Sequence, residues 1–216
     1  MKKVALSLIA LWFIPINLYA TPFLFESAGL GETGQTSGVS ISYNQFIGTT
    51  FSIDRPVWVS EIGGHMAATP GETIFGAIVA ISDSGVAPDF NPLDIESFAL
   101  GFTVFSPGSP STDYRTSLEL MLTPGDYLVV FGSGLFGATG SAALVNVTNP
   151  VIEGTDWLST HNTSSEIPLG IWNCCSTPSP FRMVVAGNTV PVPEPATLAL
   201  FGLGLAGIGF SRRKKA

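Results

Sequence analysis

The chain has 216 residues, of which 45% are hydrophobic and 12% are charged. Its basic residues are concentrated at the two ends, so residues 21–190 hold three arginines against fifteen acidic residues and carry a formal charge of −12. Such a surface repels nucleic-acid phosphates and anionic lipids, which excludes nucleic acid from the expected partners. Roughly 170 residues lie between the ends, enough for one domain, and two cysteines are too few for a disulfide framework.

The first twenty residues predict a secretory signal peptide. Lys2 and Lys3 precede an uncharged apolar run over 4–14, and Ala20 is a small residue at the expected cleavage position. We therefore predict export through the Sec translocon and cleavage between Ala20 and Thr21. The apolar run is too short to cross a bilayer core of about 30 Å, which argues against an uncleaved anchor.

Residues 21–187 predict an all-β domain. Short runs rich in β-branched and aromatic residues alternate with glycine and proline turns, and no segment keeps a helical period over ten residues. The pattern favours an antiparallel β-sandwich of the jelly-roll type. The predicted strands are 39–43, 45–53, 57–62, 73–81, 98–105, 116–122, 127–131, 142–147 and 182–186.

Some of these strands carry more specific expectations. The run 73–81 is apolar on both faces, as in a central strand, and Trp58 is expected in the core. In the run 98–105, alternate apolar residues share one face. The segment 123–126 has proline and glycine in the positions that a type II turn requires.

The acidic segment 82–96 offers oxygen ligands of the kind that calcium binds, although its spacing matches no EF-hand. A structural calcium ion and a solvated loop are both compatible with it. The calcium candidates are Asp83, Asp89, Asn91, Asp94 and Glu96.

Three residues in predicted loops are candidates for glycan contact: Trp157, His161 and Trp172. A flat aromatic ring matches the apolar face of a sugar, and polar neighbours suit its hydroxyl groups. Burial of the tryptophans in the core is the alternative interpretation.

No catalytic constellation is recognisable. The sequence has neither a nucleophile elbow nor a zinc-binding helix motif, and its G-x-G-x-x-G matches lack the strand–turn–helix context of nucleotide sites. We therefore predict no enzymatic activity and no cofactor. The adjacent Cys174 and Cys175 leave three states open outside the cytoplasm: a vicinal disulfide, free thiols, or pairing between molecules.

The chain ends in three consecutive segments. A proline-rich linker over 188–195 is kept extended because each proline disfavours helix in the residue before it. An uncharged stretch over 196–210 predicts a transmembrane helix of about 22 Å, and a basic tail over 211–216 holds the C-terminus in the cytoplasm. This order leaves the domain on the outer face of the inner membrane. The basic residues of the tail are Arg212, Arg213, Lys214 and Lys215.

The motif Pro193-Glu194-Pro195, the hydrophobic segment and the basic tail together resemble the PEP-CTERM sorting signal. The resemblance implies recognition of these three residues by exosortase, a membrane protease with a cysteine nucleophile, and removal of the helix and tail. It also implies a Gram-negative host that makes exopolysaccharide and biofilm. We accordingly expect a non-enzymatic surface or matrix protein associated with exopolysaccharide. A secreted glycan-acting enzyme and a stably membrane-anchored β-sandwich protein are the alternatives.

Overall fold

A computed structural model describes residues 22–30, 38–43, 45–82, 87–146, 157–160, 172–176 and 181–190, with only the backbone for 173–176. Among these residues, no helix is long and apolar enough to cross a membrane. The predicted signal peptide, the transmembrane helix and the basic tail lie outside the described ranges, as does the cleavage position.

Regular structure in the described ranges is almost entirely β-strand. A 3₁₀ turn, Pro92–Asp94, leads into a four-residue helix, α1 (Ile95–Phe98). The strands are β1 (Phe23–Glu26), β2 (Gly38–Ile41), β3 (Ile47–Ile53), β4 (Val57–Ala68), β5 (Ile74–Ile81), β6 (Ala99–Phe105), β7 (Thr112–Leu122), β8 (Gly125–Gly132), β9 (Ala142–Val145), β10 (Trp157–Thr160), β11 (Trp172–Ser176) and β12 (Met183–Thr189).

These strands form two antiparallel sheets. The first sheet has the order β1-β12-β4-β9-β2, with β7 also paired to β4, and the second has the order β11-β10-β3-β8-β5-β6. The long strand β4 organises the first sheet because it pairs with β12, β7 and β9. The predicted antiparallel β-sandwich is confirmed, and its jelly-roll connectivity stays a prediction.

An inner core lies between the two sheets. Val59 and Met66 of β4 belong to one buried cluster with Val129 and Phe131 of β8, and all four side chains are fully buried. Because side chains alternate across a strand, the opposite face of each strand must be covered separately or left to solvent.

The second sheet is covered on its other face as well. There, an outer core contains Phe75, Ala77 and Val79 of β5, and it is closed by Ile95 of α1 and by Ala138 in the loop before β9. Double coverage explains why β5 is apolar throughout, and the prediction that 73–81 is a central strand is confirmed: β5 lies between β8 and β6.

Two local expectations are wrong. Trp58 is 42% exposed on the outer face of the first sheet, because its neighbours Val57 and Val59 are the residues of that strand that point inward. The segment 123–126 is not a type II turn: Gly125 lacks the positive φ that such a turn needs and already begins β8. The chain here passes from the first sheet to the second and does not close a hairpin.

Candidate functional site

Both ends of the described domain leave the sandwich at the same place. The carbonyl of Pro22 accepts a hydrogen bond of 3.0 Å from the amide of Gly187, and the amide of Val190 donates one of 3.0 Å to the carbonyl of Pro56. In the same region, Thr189 pairs with Val57 at the start of β4. The segment that precedes β1 and the segment that follows β12 therefore start from one end of the molecule.

The predicted recognition motif begins three residues after Val190. An extended chain spans at most about 3.6 Å per residue, so Pro193 lies within about 11 Å of the last described residue. Pro193, Glu194 and Pro195 themselves lie outside the described residues. The sorting motif is thus tied covalently close to a strand that is paired on both sides, to β1 and to β4.

A cluster of charged side chains links three strands of the first sheet; we call it the Arg182 cluster. Arg182 is 3% exposed, and its Nε lies 2.9 Å from Oδ1 of Asp113 in β7. Its Nη1 donates at 2.6 Å to Oε2 of Glu26 in β1 and at 2.6 Å to the carbonyl of Ala28. A single guanidinium therefore connects β1 and β7 to the residue that precedes β12.

Arg115 extends the Arg182 cluster toward the surface. Its Nη2 lies 3.8 Å from Asp113, its Nη1 lies 3.7 Å from Glu61, and its guanidinium carbon lies 4.6 Å from the centre of the Phe23 ring. The guanidinium carbon of Arg182 lies 5.1 Å from the same ring. Two of the three arginines of residues 21–190 thus contact one aromatic ring and share one carboxylate.

The chemistry of the Arg182 cluster is that of a structural ion network. Burial lowers the pKa of Arg182, but the hydrogen bonds and negative charges of Asp113 and Glu26 outweigh burial, so the pKa is raised above its ordinary value. A guanidinium that stays charged cannot act as a general acid or base. The cluster therefore holds strands together and is not suited to proton transfer through its arginines.

Of the two histidines, the structure describes only His65. His65 is fully buried within β4, opposite Asp113 in the strand register, and its amide donates to the carbonyl of Arg182. It is not at a strand end, because β4 continues to Ala68. His161 lies outside the described residues.

Two of the calcium candidates, Asn91 and Glu96, are engaged in local structure. Oδ1 of Asn91 accepts a bond of 2.9 Å from the amide of Leu93 and caps the 3₁₀ turn, while Glu96 accepts the amide of Phe136. Among the described residues no group of three or more acidic, histidine or cysteine side chains is placed to hold a metal ion. Asp83 lies outside the described residues, so the calcium site stays a prediction.

The two candidate tryptophans differ in burial. Trp172 is buried in the outer core, and its indole donates at 3.1 Å to the carbonyl of Phe90. Trp157 is half-buried and meets the Phe181 ring edge-on at 5.1 Å, against the inner core. Glycan contact by these two tryptophans stays a prediction. Cys174 and Cys175 lie in β11, and their side chains are outside the described part of the chain.

A shallow groove opens beside the end of β4. Its lining is small and uncharged, and Glu72 lies nearby, where it accepts bonds from the amide and hydroxyl of Ser141 that lower the pKa of Glu72. The lining residues are Ala67, Ala68, Thr69, Pro70, Ser109, Ser141, Ala142 and Ala143. Hydroxyl groups and methyl groups offer binding contacts without supplying a nucleophile–base pair.

The described residues form a two-sheet, all-β domain in which Pro22 and Val190 lie at the same end. Residues 191–214 match the family model of the PEP-CTERM protein-sorting motif. The chain therefore carries the C-terminal signal of exosortase substrates, which directs export and processing at the cell envelope, with exosortase as the processing partner. No curated protein was found to match the chain.

Proposed function

We propose that this protein is an exported β-sandwich that is held at the outer face of the inner membrane by its C-terminal helix and basic tail until exosortase removes them. The processed domain then serves at the cell surface or in the extracellular matrix. There it has a non-enzymatic role, structural or in association with exopolysaccharide.

The observation that carries this proposal is the common exit of the two terminal segments. A domain with both segments on one side can remain folded outside the membrane while either segment is in the membrane. The short distance from Val190 to Pro193 keeps the sorting motif next to the membrane-facing end of the domain.

A non-enzymatic role is supported by how the described ionisable groups are used. The Arg182 cluster satisfies its charges internally, and the groove beside β4 is lined by alanine, serine, threonine and proline. Binding of neutral polysaccharide is compatible with a body of net charge −12, whereas anionic polysaccharide would be repelled.

The proposal is tested by expressing the full chain in a host with exosortase and in the same host lacking it. We expect the tail to be absent from the mature mass only where exosortase is present, with the processed protein outside the cell. Glu194→Gln should leave the tail attached because the motif loses its only charge. Glu119→Gln, the same chemical change on the exposed face of β7, is the matched control and should be processed normally.

Two outcomes would contradict the proposal. A full-length tail in both hosts would assign the chain to stably anchored membrane proteins. Release of reducing sugar ends when the processed protein is incubated with the host polysaccharide would show a glycan-acting enzyme.

A further inference from the structure

Strand β6 and Phe98, the last residue of α1, present a stripe of apolar side chains to solvent; we call it the β6 stripe. Its members are 38–51% exposed and lie on the face of the second sheet that carries the outer core. In most sandwich strands the large apolar side chains point toward the other sheet. In β6 that inner face instead carries residues such as Gly101 and Thr103. The members of the β6 stripe are Phe98, Leu100, Phe102 and Val104.

The rings of the β6 stripe are held in place by stacking. Phe102 stacks on Phe136 with ring centres 4.3 Å apart, and Phe98 stacks on Phe90 at 4.7 Å. Phe136 adopts a φ of 55°, a conformation that is costly for a bulky residue and that flanking glycines with positive φ accommodate. The exposed surface is therefore preorganised, which lowers the entropic cost of binding.

The same strand ends the second sheet. Among the described strands, β6 pairs with β5 on one edge and with none on the other. It is not paired with β7 of the first sheet, although the hydroxyls of Thr103 and Thr116 lie 3.3 Å apart. An edge with free backbone groups and an apolar face is a template for pairing with another strand.

The absence of charged residues around β6 favours contact with a second copy of this acidic domain. Residues 97–112 include no charged residue, although residues 21–190 carry a net charge of −12. Two copies of so acidic a domain repel each other unless they meet through a neutral surface. The β6 stripe also offers no hydrogen-bonding side chain for sugar hydroxyls, which favours a protein partner over a glycan.

We propose that β6 is a self-association site, at which two copies of this chain pair antiparallel across their free edges. The register follows from two-fold symmetry about Phe102, the middle residue of β6: each Phe102 faces its counterpart, and Leu100 faces Val104 of the second copy. Both stripes then lie on the same face of one continuous sheet, where apolar cross-strand pairs stabilise the contact. This inference does not depend on the proposed function.

The test is sedimentation of the full chain in detergent and of the exosortase-processed protein over a range of concentrations. We expect a monomer–dimer equilibrium, and Phe102→Lys should weaken it by about tenfold or more because two like charges would face each other. Met121→Lys is the matched control: Met121 is 53% exposed on β7 of the first sheet, and its substitution should leave the dimer unchanged. Leu100→Lys tests the same edge without removing the ring that stacks on Phe136.

Hydrogen exchange separates edge pairing from other association. The amides of β6 should exchange more slowly as protein concentration rises, and this protection should disappear in Phe102→Lys. A wild-type chain that sediments as a monomer throughout would overturn the proposal, as would a dimer unaffected by both β6 variants. Binding of polysaccharide by a monomeric chain, lost in Phe102→Lys, would also overturn it and assign the β6 stripe to sugars. None of these outcomes changes the mass of the mature protein, so the test of self-association is separate from the test of the proposed function.

Discussion

Arg182 shows how one buried charge joins strands that are distant in sequence. It lies 156 residues after Glu26 and 69 residues after Asp113, yet it hydrogen-bonds both. A buried ion pair owes its stability to the completeness of its partners, because each charge has lost its contact with water. Removal of the central cation would leave two carboxylates facing each other without compensation.

We predict that Arg182→Met destabilises the domain by about 3 kcal/mol, because Asp113 and Glu26 lose their common partner. Chemical denaturation of the processed domain measures the change in the free energy of unfolding. Arg55→Met is the control, since Arg55 pairs with its exposed neighbour Asp54 and should change the free energy very little. Equal stabilities for the two variants would contradict a structural role for the Arg182 cluster.

At the level of elements, strand β4 matters most because three strands pair with it. Its midpoint contains Gly63, which faces the backbone of β7 closely: a Cβ atom there would overlap the carbonyl oxygen of Tyr114. A backbone atom cannot rotate away as a side chain can. The close approach of β4 and β7 thus depends on a residue without a side chain.

Gly63→Ala should therefore destabilise the domain by about 3 kcal/mol through overpacking against β7. The midpoint of urea denaturation reports the effect. Gly125→Ala provides the comparison, because a Cβ atom at Gly125 would meet only the Tyr127 ring at ordinary contact distances of 3.6 Å and more. A smaller loss for Gly63→Ala than for Gly125→Ala would contradict the close approach.

For the whole molecule, sorting and folding depend on different parts of the chain. The sorting motif at 191–214 begins after the end of β12, so we expect the signal to be read without contact with the sandwich. The Arg182 cluster and the two cores stabilise the domain.

We predict that residues 1–22 and 188–216 suffice to sort an unrelated reporter domain placed between them. Its mature mass in hosts with and without exosortase is the measurement, and the expected result is loss of the tail only where exosortase is present. A reporter with Glu194→Gln serves as the control and should keep its tail. An unprocessed reporter beside a processed native chain would mean that the sandwich itself takes part in recognition.

Most of the strands can be predicted from the sequence because strand formation depends on local residue types. Nine predicted runs overlap nine observed strands, and β5 was correctly predicted to be central. The three strands outside the predicted runs are β1, β10 and β11, which have four or five residues each. β1 and β10 take their positions from pairing with β12 and β3, which are distant in sequence, and β11 takes its position from pairing with β10.

The sequence by itself determined the class of fold and the sorting signal, because both depend on residues that are neighbours in the chain. Only the tertiary structure decided which face of each strand is buried. Alternation places Leu100, Phe102 and Val104 on one side of β6, but whether that side meets the core depends on where the second sheet ends. Likewise, the partners of Arg182 come together only when β1, β7 and β12 are assembled in one sheet, since long-range pairing leaves no mark on local composition.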